Sequence, residues 1–97
     1  MTAIAGLVVF DEITASEDSP SIAIPKGAGY DSTRIIQIAA TGDGQVQVQG
    51  RVHPDAAWFD IGTPLSSSDT LLEIRAPNFI RLSCTVTTGN VSAWIGG

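Results

Sequence analysis

The sequence predicts an all-β domain, an antiparallel β-sandwich of about eight short strands. Short segments along the chain alternate between apolar and polar residues, with the two-residue period of a half-buried strand. Gly, Pro, Asn and Asp separate these segments, as they do in sandwiches and barrels. No window has the apolar spacing of an amphipathic helix. We therefore expect residues 1–97 to form one domain with a jelly-roll-like arrangement of two sheets.

The predicted strands follow one another along the chain, with turns between them. They are residues 4–13, 21–24, 34–39, 45–52, 56–61, 71–75, 79–87 and 91–95. Three polar or glycine-rich stretches are predicted as loops, namely 14–19, 26–31 and 63–69.

The first three strands are recognised by their boundaries and by their apolar runs. A proline lies on each side of residues 21–24, and proline cannot donate to a strand ladder. Residues 34–39 are almost continuously apolar, which is typical of a strand in the centre of a sheet. Residues 1–9 have two interpretations: they are the first strand of this sandwich, or an arm that adds a strand to a neighbouring sheet.

The strand at residues 45–52 shows the clearest alternation. Three glutamines and Arg51 lie on one face, and three valines and Gly50 lie on the other. The glutamines offer neutral donors and acceptors for hydrogen bonds. The Thr-Gly-Asp-Gly segment at residues 41–44 predicts a hairpin turn before this strand, because Asp-Gly supplies residues that tolerate positive φ.

The last two strands are predicted to form a β-hairpin joined by a Gly-Asn turn. On its first strand four apolar residues, including Cys84, share the inner face, and Phe79 and Arg81 lie on the outer face. On its second strand Trp94 lies on the outer face. Cys84 is therefore expected to be a small buried apolar residue.

The charge composition argues against nucleic acid and membranes as partners. The net charge is −5, and the five basic residues are dispersed along the chain. Binding to phosphates or to an anionic membrane surface needs clustered lysine and arginine. The single cysteine excludes an internal disulfide. No secretion signal is expected, because the apolar run near Met1 lacks a positively charged start.

The sequence offers no set of residues for catalysis, for a metal ion or for a cofactor. Its one histidine, His53, precedes a proline at a strand end, and its one cysteine lies on an inner face. A zinc site needs about four ligands, which these two residues do not provide. The acidic residues of the turns are interpreted as solvated carboxylates. We therefore expect a protein that is not an enzyme.

The aromatic side chains are the main candidates for binding. Phe79 and Trp94 are predicted to face outward, and Trp58 and Phe59 to point in opposite directions. Outward aromatic residues have three interpretations: anchors of a protein interface, rings that stack on sugars, or residues covered by another layer. Alternation alone leaves these three interpretations open.

Several segments in the second half of the chain follow a recognisable order. A Val/Gln strand is followed by Asp55-Ala-Ala-Trp-Phe-Asp-Ile61, then by Ala76-Pro-Asn-Phe-Ile-Arg-Leu82, and last by a Thr-rich hairpin that ends in Val91-Ser-Ala-Trp-Ile95. Residues 45–97 thereby resemble small β-sandwich structural proteins of tailed bacteriophages. In those proteins a strand leads into a turn with a tryptophan, and a later Pro-x-aromatic-(Ile/Val)-Arg strand precedes a closing Thr/Gly-rich strand.

The resemblance implies a component of a virion, made in the host cytoplasm. The preferred hypothesis is a capsid decoration or cement protein, which stabilises the head by bridging neighbouring capsomers. A neck, tail or fibre component is one alternative, and a small carbohydrate-binding module is another. The partner would be the major capsid protein or another virion protein, and the protein itself a trimer or a dimer. The expected contact residues are Arg51, Trp58, Phe79, Arg81 and Trp94, with Ile4 and Leu7 of the amino-terminal segment.

Overall fold

The computed structural model describes residues 7–24, 33–66 and 71–96. Within these ranges the chain has nine β-strands and no helix, arranged as two antiparallel sheets that pack face to face. The predicted fold class, an all-β antiparallel sandwich, is confirmed. Ile4 and the loop expected at 26–31 lie outside the described residues.

The nine strands divide between the two sheets. They are β1 (Leu7–Ile13), β2 (Glu17–Asp18), β3 (Ile22–Ala23), β4 (Thr33–Thr41), β5 (Gly44–Arg51), β6 (Phe59–Ser66), β7 (Leu71–Arg75), β8 (Phe79–Val86) and β9 (Asn90–Gly96). The first sheet has the order β1-β9-β4-β7. The second sheet has the order β2-β8-β5-β6, and β3 also pairs with β8.

The strand order is that of one long hairpin rolled into two sheets. The turn of this hairpin is the connection from β5 to β6. Its arms pair antiparallel, β1 with β9, β2 and β3 with β8, β4 with β7, and β5 with β6. Rolling brings β4 beside β9 and β5 beside β8, which completes each sheet. This is the strand order of a jelly roll.

The hydrophobic core lies between the inner faces of the two sheets. The largest fully buried side chains are Ile36, Ile38, Val46, Val48, Ile80, Leu82 and Val91. They come from the four central strands β4, β5, β8 and β9, where the sequence alternates most clearly. Cys84 belongs to the same core, with 3% of its surface exposed, as predicted.

The two predicted hairpin turns are connections between the sheets instead. Residues 41–44 lead from β4 in the first sheet to β5 in the second, and residues 87–90 lead from β8 back to β9. We call these two segments the stacked arches. The amides of Thr87 and Thr88 donate to the carbonyl of Asp43 at 2.8 and 3.1 Å. The hairpin predictions were wrong because alternation sets the face of each residue and not the order of the strands.

Two glycines let the stacked arches approach each other closely. Gly42 and Gly89 have φ angles of 72° and 78°, in the left-handed region that side chains disfavour. A Cβ atom at Gly89 would lie 1.9 Å from the carbonyl oxygen of Thr41, where no side chain fits. Thr88 Oγ1 also accepts a hydrogen bond from the amide of Asp43 at 2.9 Å. Backbone contacts therefore fix this end of the sandwich.

The strand β2 lies in the stretch 14–19, for which a loop was predicted, and it brings the strands of the described residues to nine, where about eight were expected. Glu17 and Asp18 are both exposed, and two residues are too few to show an alternation. The next residue attaches the segment to the sheet, because the amide of Leu82 donates to Ser19 Oγ at 2.9 Å.

The strand β6 begins and ends later than predicted. It covers Phe59–Ser66, so residues 63–66 are strand where a loop was expected. Gly62 and Pro64 are turn-forming residues, but here they belong to an irregularity in the pairing of β6 with β5. β6 is the edge of the second sheet, where bulges and proline are tolerated.

The strand β1 is an irregular edge of the first sheet. Leu7 and Val8 pair with the end of β9, and the register then shifts twice. After the first shift Glu12 has a φ of 49°, and its amide donates to Ser92 Oγ at 2.9 Å. The described part of the amino-terminal segment, residues 7–9, is thus paired or packed within its own sandwich.

Candidate functional site

Four of the side chains that the sequence singled out meet on the outer face of the second sheet. The Arg51 guanidinium carbon lies 4.2 Å from the centre of the Trp58 ring and 5.8 Å from that of the Phe79 ring. The Arg81 guanidinium carbon lies 4.9 Å from the centre of the Trp58 ring. We call these four residues the aromatic–arginine cluster. All four are partly buried.

Strand register explains three members of the cluster, and a turn explains the fourth. Arg51 pairs with Phe79 across β5 and β8, and Arg81 is two residues further along β8, on the same face. Trp58 comes from the connection between β5 and β6. That connection folds back on itself, since the amide of Ala56 donates to the carbonyl of His53 at 3.0 Å. The turn places the tryptophan ring over the two arginines.

Arg81 is held by partners within the chain. Its Nε donates to Gln49 Oε1 at 2.7 Å, and Gln49 Nε2 donates to Asp60 Oδ1 at 2.9 Å. Its Nη1 lies 3.8 Å from Asp18 Oδ2, and Ser83 Oγ donates to the other oxygen of Asp18 at 2.6 Å. The charge of Arg81 is therefore matched by a carboxylate. The ion pair is partly exposed and contributes about 1 kcal/mol or less.

In the described part of the chain Arg51 has one polar partner, at a longer distance. A guanidinium carries about five N–H donors. Among the described residues Arg51 has one acceptor, the carbonyl of Ala56, at 3.5 Å from Nη1. Its Nε is buried and has no hydrogen-bond partner there, and no carboxylate of the described residues forms an ion pair with it. An unsatisfied buried donor costs about 1–3 kcal/mol, which the stacking on Trp58 offsets in part.

The other predicted contact residues lie elsewhere in the structure. Trp94 is on the outer face of the first sheet, where it pairs with Val8 and Gln37. Leu7 is at the start of the same sheet, with 49% of its surface exposed. Trp58 and Trp94 therefore lie on opposite outer faces, and they cannot form one flat aromatic platform.

The first sheet carries an apolar row on its outer face. Val8, Trp94, Gln37 and Leu71 follow one another across its four strands in register. Val8 and Leu71 are 56% and 61% exposed, and Trp94 is partly buried. We call the three apolar residues among them, Val8, Trp94 and Leu71, the apolar row. Exposed Glu73 and Arg75 follow Leu71 on the same face of β7, and the aromatic–arginine cluster lies on the other outer face of the sandwich.

Sequence reasoning did not find the polar residues around Arg81. The role of Asp18 was not predicted, because no sequence pattern indicated β2. Gln49 was assigned only to a neutral glutamine face, yet it joins Arg81 to Asp60. Gln47 also acts within the chain, since its Nε2 donates to the carbonyl of Ile61 at 3.3 Å. A glutamine two residues before Arg51, on the same face, was the available signal for this network.

The remaining titratable residues of the described ranges do not form a cluster. No group of three His, Cys, Asp or Glu side chains comes together in the described ranges. Burial in the core raises the pKa of the Cys84 thiol, and the nearby charge of Glu17 adds to this effect. His53 is exposed in the turn after β5, with Asp55 at 3.9 Å. No helix in the described part of the chain is long and apolar enough to cross a membrane.

Two clefts lie away from the aromatic–arginine cluster. One of about 360 Å³ lies beside the stacked arches and is lined by Asp43, by two glycines and by hydroxyl and amide side chains. Its lining holds one carboxylate and no aromatic ring. The other, of about 240 Å³, is apolar and lies between β1 and the segment that contains β3. Neither cleft brings together a set of charged or reactive side chains.

Comparison of the chain with protein-family models, with curated proteins and with solved structures found no match. The resemblance to phage sandwich proteins stays a prediction from the sequence.

Proposed function

We propose that this chain is a non-enzymatic structural protein of a tailed-phage virion, a decoration protein that binds the head and bridges neighbouring capsomers. The aromatic–arginine cluster is the observation that carries this proposal. It places a tryptophan, a phenylalanine and two arginines side by side on one sheet face. Tryptophan and arginine are enriched among the residues that dominate binding energy at protein interfaces. The cluster would be the contact with the major capsid protein.

The fold supports the proposal by analogy. Jelly rolls occur in viral capsid proteins and in lectins. One fold serves many unrelated functions, so the jelly roll supports the proposal less than the cluster does. Three edge strands of this sandwich, β1, β2 and β6, are short, irregular or interrupted by proline, which limits pairing with other strands. A protein that is packed at high density on a capsid needs edges of this kind.

The outer face of the first sheet supplies the second contact that bridging requires. The apolar row would pack against another copy of the chain, in a dimer or a trimer. A symmetric oligomer presents several aromatic–arginine clusters at once, so weak single contacts add up to firm attachment. Leu71 is the better residue for testing this contact, because its side chain is largely exposed and its loss leaves the core intact.

The carbohydrate-binding alternative has less support from the geometry. Stacking on a sugar needs an open ring face, and two guanidinium groups already lie over the Trp58 ring. The other tryptophan is on the opposite face of the sandwich. A glycan array tests this alternative directly, and specific binding there would favour it over the virion role.

Add-back to purified heads is the experiment that tests the proposed function. Heads of the encoding phage that lack the protein are mixed with the purified chain and sedimented. Trp58→Ala is expected to weaken head binding by about 30-fold, as for a central interface residue. Gln45→Ala is the matched control, since Gln45 is exposed on the same face at the other end of β5, and its binding should stay within about twofold of wild type.

Three outcomes would contradict the proposal. The wild-type chain fails to bind heads, it binds only isolated tails or necks, or Trp58→Ala binds heads as well as Gln45→Ala does. Light scattering of the free protein tests the oligomer separately. A dimer or trimer that Leu71→Ser converts to a monomer supports the assignment of the apolar row, and a wild-type monomer at all concentrations rejects it.

A further inference from the structure

We infer that Arg51 is the receptor for a single carboxylate of the partner, on an aspartate or glutamate side chain. The inference rests on the proposed function, since it names the chemistry that the aromatic–arginine cluster would recognise. The inference is based on the scarcity of hydrogen-bond acceptors for the N–H groups of Arg51 in the described ranges. Among the described residues they have one acceptor, at the long distance of 3.5 Å. Nε is buried and has no partner there, so the partner carboxylate would meet the terminal nitrogens of the guanidinium.

Arg81 provides an internal comparison for this argument. It lies over the same tryptophan ring, but its Nε is bonded to Gln49 at 2.7 Å and its Nη1 lies 3.8 Å from Asp18. In the described residues the chain thus gives Arg81 a bonded Nε and a carboxylate for its charge, and it gives Arg51 neither. A chain with ten acidic residues and a net charge of −5 could have supplied a carboxylate to Arg51, yet none in the described ranges forms an ion pair with it.

The aromatic rings prepare Arg51 for a planar anion. Trp58 and Phe79 lie at 4.2 and 5.8 Å from its guanidinium carbon, and they hold the group without neutralising it. Apolar walls lower the local dielectric constant, which strengthens a charge-assisted hydrogen bond. The planar guanidinium matches the two oxygens of a carboxylate, a geometry that lysine cannot reproduce.

The surroundings favour a single carboxylate over a phosphate polymer. Asp18 and Asp60 lie next to the cluster, with Asp18 bonded to Ser83 and Asp60 bonded to Gln49. Asp55 and His53 lie in the turn that carries Trp58. These carboxylates would repel a chain of phosphates, whereas one partner carboxylate needs only the Arg51 charge.

The test is a titration of the ¹⁵N-labelled protein, followed at the arginine Nε–H signals. The probe is a capped tetrapeptide of alternating glycine and glutamate, and the control is the same peptide with glutamine. We expect the Arg51 signal to shift with the glutamate peptide and the Arg81 signal to shift less. The glutamine peptide should bind about tenfold more weakly. A third peptide, with glutamine side chains and a free carboxyl terminus, tests for recognition of a terminal carboxylate.

Matched variants show whether binding depends on the guanidinium group of Arg51 or only on its positive charge. Arg51→Met should abolish peptide binding, and Arg51→Lys should weaken it by about tenfold. Arg75→Met, which removes an exposed arginine of the first sheet, should retain it. Thermal melts of each variant show whether it is folded. Equal binding of the glutamate and glutamine peptides, no shift at Arg51, or unchanged binding by Arg51→Met overturns the inference. Binding only through a free carboxyl terminus overturns the assignment to a side chain.

Failure of the proposed function gives a different pattern. If heads do not bind the protein but the glutamate peptide still shifts the Arg51 signal, the carboxylate site stands and the virion role is wrong. If heads bind through Trp58 but the peptide does not shift the Arg51 signal, the virion role stands and the carboxylate site is wrong.

Discussion

The two ends of the β5–β8 strand pair are built in opposite ways. At the stacked arches the backbone is held by close contacts at glycines with positive φ. The amides of Asp43, Thr87 and Thr88 all have acceptors in the facing segment. At the aromatic–arginine cluster, seven residues further along β5, side chains hold the geometry and Arg51 keeps unsatisfied donors. The difference teaches that this fold separates the contacts that stabilise it from those available for binding.

The largest loss of stability is expected for a substitution in the stacked arches. Gly89→Ala would place a Cβ atom 1.9 Å from the carbonyl oxygen of Thr41 and strain a residue with a φ of 78°. We expect a loss of about 3 kcal/mol or more in the free energy of unfolding, measured by urea denaturation.

Gly62→Ala is the control for this prediction. Gly62 also has a positive φ, of 69°, but a Cβ there would meet only Leu72 Cδ2, at 3.8 Å. The expected loss is about 1 kcal/mol, the cost of the left-handed backbone alone. Equal losses for the two variants would show that the arches are not held together as tightly as the structure indicates.

The second prediction compares the two arginines of the aromatic–arginine cluster. Arg81→Met removes a hydrogen bond to Gln49 and an ion pair, so we expect a loss of about 1 kcal/mol in the free energy of unfolding. Arg51→Met removes an unsatisfied buried donor and keeps an apolar chain against Trp58, so stability should stay within about 0.5 kcal/mol of wild type. Urea denaturation of both variants is the measurement. The reverse order would mean that Arg51 is a structural residue.

The third prediction concerns Cys84, in the strand between the two ends. Because burial raises the pKa of its thiol, the unfolded chain loses this proton at a lower pH than the folded one. The contribution of the thiol to stability is complete below the unfolded pKa of about 8.5 and falls as the pH rises above it. By pH 9 the loss should be at most about 1 kcal/mol.

Comparison with Cys84→Ala isolates the thiol. The other titrating groups are common to both chains, so the difference in the free energy of unfolding between wild type and variant should shrink from pH 7 to pH 10. A difference that stays constant over this range would mean that the thiol ionises as readily in the folded protein as in the unfolded chain.

The smallest loss of stability is expected for a side-chain change in the stacked arches. Thr88→Val keeps the shape of the side chain but removes the Oγ1 acceptor of the Asp43 amide. The site is exposed and water can replace the acceptor, so a loss of about 0.5 kcal/mol is expected in urea denaturation. A loss as large as that of Gly89→Ala would assign the stability of the arches to this side-chain bond instead of to the close backbone contact.

Alternation in the sequence was enough to predict which side chains face outward. Arg51, Phe79 and Arg81 lie on the outer face because their strands have a period of two, and Cys84 lies inside for the same reason. Alternation could not predict that the last two strands belong to different sheets. A Gly-Asn or Asp-Gly segment reverses the chain equally well within one sheet or between two.

The assembly of the site depended on information that is not local. Trp58 reaches the two arginines because the connection after β5 folds back, and the sequence of that connection has no strand period to follow. Asp18 meets Arg81 through a strand of two residues, which is too short to leave a pattern. Residues supplied by regular strands were therefore predictable, and residues supplied by turns and short segments were not.

The rolled hairpin determines the order in which strands can pair while the chain is being synthesised. Leu7 pairs with Ile95, and β9 lies between β1 and β4, so the first sheet has a gap until residue 96 has left the ribosome. Contacts between residues so distant in sequence are typical of folding in about milliseconds to seconds. During synthesis β1, β2 and β3 lack their partner strands until β8 and β9 are made, whereas β5 with β6 and β4 with β7 can pair earlier.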